Sequence, residues 1–126
     1  MKKIVLGLAA TVAYTLSVPA SAFHVCNGGA AGDGQQVTTG QFVKVAFTPK
    51  CSANVFLDGV DNSSTIYAVG SGSAKGKKYF TGNTAGGAVK AAGDCAAGGC
   101  VIGHAEKGSA QGVSEAGGSA ASAPAD

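Results

Sequence analysis

Residues 40–69 read GQFVKVAFTPKCSANVFLDGVDNSSTIYAV, and the period of two in their apolar side chains decides the fold class. Val43, Val45 and Phe47 fall on one face of an extended segment, with Phe42, Lys44, Ala46 and Thr48 on the other, which is the pattern of a half-buried strand over 41–48. Pro49 has no amide hydrogen to give to a ladder, so that strand ends there, and Cys51 follows two residues later. Val55 and Leu57 resume the alternation, Asp58-Gly-Val-Asp-Asn62 supplies turn residues, and Thr65-Ile-Tyr-Ala-Val69 returns as a β-branched and aromatic partner strand. The stretch is therefore expected to form a hairpin at the centre of a sheet.

Outward from this hairpin, Gly70-Ser-Gly-Ser-Ala-Lys-Gly76 is expected to be a flexible turn and Lys77–Thr81 a strand. Ala88–Lys90 is expected to be a short strand, and Cys100–His104 the last one. No run of large apolar residues keeps a helical period over three turns outside the first twenty residues. The expected fold is all-β: a small antiparallel sandwich or barrel-like domain of about five or six strands. Its core is expected from Val43, Val45, Phe47, Val55, Leu57, Ile66, Tyr67, Val69, Phe80 and Val101, with Phe42 and Phe56 on the other face.

At the start of the chain, Met1-Lys-Lys3 is cationic, Ile4–Val18 is an apolar run, and Ala20-Ser-Ala22 carries small residues where a signal peptidase cuts. Residues 1–22 are expected to be a signal peptide, leaving an exported chain, periplasmic or extracellular, with no membrane span. Removing 22 of the 126 residues takes two of nine lysines and leaves seven lysines facing seven acidic residues. A neutral mature chain gives no electrostatic reason to bind nucleic acid.

Four cysteines remain, Cys26, Cys51, Cys95 and Cys100. An even count in a small exported chain points to two disulfides, and the entropy of loop closure favours neighbours: Cys26 with Cys51 and Cys95 with Cys100. Residues 23–106 are expected to form the stapled β-domain. Residues 107–126 offer Val113 as their one sizeable apolar side chain and are expected to be a disordered Gly/Ala/Ser-rich tail.

Chemical motifs are sparse. Gly70-Ser-Gly-Ser-Ala-Lys75 starts like a dinucleotide fingerprint, but lysine stands at its third glycine. Lys78 occupies the place where a phosphate-binding loop needs Ser or Thr. The four residues between Cys95 and Cys100 do not match a redox pair. With only His24 and His104 as imidazoles and no nucleophile elbow, the chain is expected not to be an enzyme.

What remains is a surface role: adhesion, assembly or structure, with self or another exported protein added along a sheet edge expected between Gly70 and Thr81. The alternative is copper binding. Cleavage after Ala22 would leave an α-amine, an amide nitrogen and the His24 imidazole suited to tetragonal copper(II), with His104 as a further ligand if the fold brings it near.

Overall fold

The computed structural model describes residues 21–118. The chain is mostly β, as its alternating pattern implies. Strands β1 (Ser21–Asn27), β2 (Gly32–Asp33), β3 (Lys50–Cys51), β4 (Val55–Asp61), β5 (Tyr67–Ser73), β6 (Lys78–Asn83) and β7 (Lys90–Asp94) precede one helix, α1 (Ile102–Glu115). Five of the strands form an antiparallel sheet in the order β1-β4-β5-β6-β7, and β2 pairs with β3 in a small second ladder.

The central hairpin is β4–β5, with Val55 opposite Ser73 and Asp61 opposite Tyr67. Its turn lies later than expected. Asn62 and Ser63 donate their amides to the Ile66 carbonyl, so Asp58–Asp61 belongs to the strand. Two buried aspartates can stand in a strand because other parts of the chain supply their donors. Ser109 donates to Asp58, and the Phe42 and Val43 amides donate to Asp61 at 2.9–3.1 Å.

Those same two amides explain why 41–48 is not the expected strand. Phe42 and Val43 donate to a carboxylate instead of to a ladder, and only an isolated Val37–Phe47 bridge forms in this segment. The segment lies over the sheet as an irregular cover, with Val45 77% exposed.

Gly70–Ser73 is likewise strand, not flexible turn. Its glycines serve close packing: a Cβ on Gly70 would meet backbone atoms of Ala105, Gly108 and Ser109, and one on Gly72 would lie 2.8 Å from Cys100 Cβ.

The expected strand at Cys100–His104 and the expected disorder from Lys107 are both overturned by α1, which runs through Glu115. Its buried positions are Ala105, Gly108, Ser109, Gly112 and Val113, spaced i, i+3, i+4, i+7, i+8. This is an amphipathic stripe made mostly of residues too small to register as apolar, and it lets the helix backbone come close to the sheet. A Cβ on Gly112 would lie 2.8 Å from the Gly82 carbonyl oxygen and 3.0 Å from Ala68 Cβ. At the helix start, His104 Nδ1 accepts the Val101 amide at 3.1 Å, which satisfies a donor the helix itself cannot.

The core divides between the two faces of the sheet. Val60, Ala68 and Val113 pack between sheet and helix. On the other face, Val25, Cys26 and Val37 cluster with Phe23, Val43, Cys51 and Leu57 under the cover segment. Of the expected core, Val43, Val55, Leu57, Ile66, Tyr67 and Val69 are half-buried, whereas Val45, Phe47, Phe80 and Val101 are exposed.

Both disulfides have the expected partners. Cys26–Cys51 joins β1 to β3 with a Cα separation of 5.7 Å, and Cys95–Cys100 joins the end of β7 to the residues before α1 at 4.9 Å.

Strands β5 and β6 are paired on both sides, so the free edge expected between Gly70 and Thr81 does not exist; the edges are β1 and β7. Each carries a bulge, at Val25 in β1 and at Ala92 in β7. The outer side of β1 is further occupied where the Val25 carbonyl accepts the Gln35 amide at 2.9 Å. Bulged edges, of which β1 is also partly covered, oppose strand addition. No helix among the described residues is long and apolar enough to cross a membrane. The expected signal segment lies outside the described residues except for Ser21 and Ala22, the first two residues of β1, and residues 119–126 of the expected tail lie outside them too.

Candidate functional sites on the two faces of the sheet

Beneath α1, side chains from three elements meet. Asp58 on β4 points toward the helix and is 1% exposed. Its Oδ2 accepts the Ser109 hydroxyl, while its Oδ1 has no hydrogen-bond partner among the described residues. His24 on the neighbouring edge strand brings Nε2 to 3.8 Å from that unpaired oxygen and to 2.6 Å from Glu106 Oε1 on α1. The register explains the meeting, because His24 lies directly opposite Asp58 in the β1–β4 ladder, just before the bulge. Burial pushes the Asp58 carboxyl above its ordinary value, and Glu106 adds to the rise. The Ser109 hydrogen bond and the nearby His24 pull it back without cancelling it.

The resemblance of these residues to a hydrolytic triad stops at composition. Ser109 is 1% exposed and gives its hydrogen to Asp58, not to His24, so the serine–histidine contact of a triad is not formed. No set of three His, Cys, Asp or Glu side chains among the described residues is placed to hold a metal ion.

The two histidines singled out in the sequence have different surroundings. His24 joins the acidic cluster. His104 accepts the Val101 amide and lies against the Tyr79 ring, with centroids 5.6 Å apart. All four cysteines are oxidised, leaving no thiol for redox or metal chemistry.

On the opposite face, Tyr67, Val69, Phe80 and Gly82 project away from the helix. The cover segment reaches only part of this face. Between the two lies a cavity of about 100 Å³ whose walls include Val37, Phe47, Leu57, Tyr67 and Val69. Beyond Val69 the apolar surface continues, since a Cβ on Gly82 would touch both Val69 and Val89, and Phe80 stands two residues along the same strand. Phe47, Phe80 and Val89 are 49%, 40% and 66% exposed. Tyr67 at the inner end is held neutral to higher pH than usual, first by burial and then by the charges of Asp61 and Asp58.

Asp58, Ser109 and Glu106 were not visible as a group in the sequence, because Asp58 reads as a turn, Glu106 as the last residue of the β-domain and Ser109 as the start of a tail. The Ala105, Gly108, Ser109, Gly112, Val113 spacing was the available signal. No family model matches the chain, and neither does any curated protein or solved structure.

Proposed function

We propose that this chain is an exported, non-enzymatic β-domain that acts as an assembly component through the sheet face that α1 leaves open. The observation that carries this is the asymmetry of the sheet. One face is sealed by a helix seated on glycines, whereas the other presents a strip from Phe47 past Val69 to Phe80 and Val89. Exposed apolar side chains are ordinary when scattered, but a connected strip beside a cavity is the kind of surface that a partner covers. Two disulfides and the absence of a membrane-spanning helix among the described residues are compatible with export.

The blunted edges favour contact by face over strand addition. The simplest occupant is a second copy of the chain, with the strips of two sheets packed against each other. Size-exclusion chromatography with light scattering tests this on the oxidised protein. The expected result is a concentration-dependent dimer, lost in Val89→Asp, a substitution at an exposed position outside the strands. A wild-type protein that stays monomeric at every concentration refutes self-assembly.

A further inference from the structure

We infer that the cavity under the cover segment is a binding site for a small neutral molecule built on a single ring, of the size and chemistry of phenol. The cavity holds about 100 Å³ and runs from the buried side chains of Val25 and Val37 to Phe47, which stands half exposed at its mouth. Leu57 and Val69 continue the apolar wall. Asp58 borders the cavity with its strand backbone, which is laddered on both sides, while its carboxyl takes the Ser109 hydroxyl on the other face. The polar side-chain group left to the cavity is the Tyr67 hydroxyl. Tyr67 lies over Gly59 and against the Phe42 ring, and its hydroxyl has no hydrogen-bond partner among the described residues. Glycine at 59 makes room for this placement, because a Cβ there would strike the hydroxyl and lie 3.1 Å from Tyr67 Cζ.

Size, polarity and charge each narrow the ligand. A well-held water needs about two to four polar partners, and one hydroxyl in an apolar well does not supply them, so an apolar ring gains by displacing what water enters. A closed apolar cavity of about 150 Å³ takes benzene. At about 100 Å³, with an open mouth, this one admits a single ring and excludes a fused pair. No cationic side chain lines it, so an anion would leave water without gaining a partner. The Tyr67 phenol stays protonated to higher pH than usual, which keeps its O–H available to donate to an oxygen on the ring. The site is separate from the outer strip, since neither Phe80 nor Val89 lines it, and it does not depend on a second copy covering that strip.

Backbone amide spectra of the oxidised full chain, titrated at fixed protein concentration with phenol, benzoate and naphthol, test this without any variant. Phenol is expected to shift the amides of Val37, Phe47, Leu57 and Val69 along one saturable curve, with benzoate and naphthol binding at least about tenfold more weakly. Tyr67→Phe keeps the ring and removes the hydroxyl. It is expected to weaken phenol by roughly three- to tenfold while leaving benzene unchanged. Val69→Phe fills the well and is expected to abolish binding of both. Should Val69→Phe fail to fold, the three wild-type titrations and Tyr67→Phe decide. Phenol shifts that do not saturate or that centre elsewhere, benzoate or naphthol binding as well as phenol, or an equal loss of phenol and benzene in Tyr67→Phe would each overturn the inference.

Discussion

Replacing Gly70 by alanine isolates the contact on which the closed face depends. In an ordinary strand the change would help by about 0.5–1 kcal/mol, because alanine has less backbone freedom to lose. Here the added methyl would lie 2.8 Å from the Gly108 carbonyl carbon and closer still to the Ala105 carbonyl oxygen and the Ser109 amide nitrogen. All three are backbone atoms of α1, so no side chain can rotate away and the helix itself must retreat. Overpacking of this kind costs roughly 1–3 kcal/mol. Retreat also stretches the Ser109–Asp58 hydrogen bond, and a bond to a charged acceptor contributes about 1.5–3 kcal/mol.

The expected loss for Gly70→Ala, net of the strand gain, is thus about 1.5–5.5 kcal/mol, a large share of the 5–15 kcal/mol typical of a domain. Gly103→Ala is the internal control, because its Cβ would meet nothing nearer than Glu106 Oε2 at 3.8 Å and the helix should gain about 0.5–1 kcal/mol. Equilibrium urea unfolding measures both. A Gly70→Ala loss below about 0.5 kcal/mol with an unchanged denaturant slope would refute the close seating of α1.

Other expected outcomes follow from the same contacts. Asp61→Asn should weaken the hold on the Phe42 and Val43 amides, speeding their hydrogen exchange, and should lower the Tyr67 pKa toward 10.0 in a spectrophotometric titration, since Asp61 is the larger of the two charges raising it. Removing the Cys26–Cys51 bridge, with 25 residues of separation, should cost roughly 3.5 kcal/mol on the chain-entropy scale, against roughly 2 kcal/mol for Cys95–Cys100 with its separation of 5; paired Cys→Ala variants in urea measure the difference.

The β class, the hairpin built on Val55–Val69 and both disulfide pairings were legible in the sequence, because each rests on local information: a period of two, turn residues and the lower entropy of closing short loops. What was not legible depended on distant partners. Phe42 and Val43 alternate like strand residues, yet their amides are taken by Asp61, nineteen and eighteen positions away. Asp58 reads as a turn former until Ser109, fifty-one positions on, supplies its donor. Helix α1 was hidden for a different reason. Apart from Val113, its buried stripe is Ala, Gly and Ser, whose value lies in the backbone approach they allow and not in the apolar area they bury. The acidic cluster was lost along with the helix that completes it.

The division of the sheet into a sealed face and an interacting face is tested most directly by a dilution series of backbone amide spectra on the oxidised protein. Raising the concentration should shift the amides of Phe47, Val69, Phe80 and Val89 together, leaving those of Lys107 and Ser114 on the exposed side of α1 unmoved. Shifts centred on α1, or none at any concentration, would contradict it.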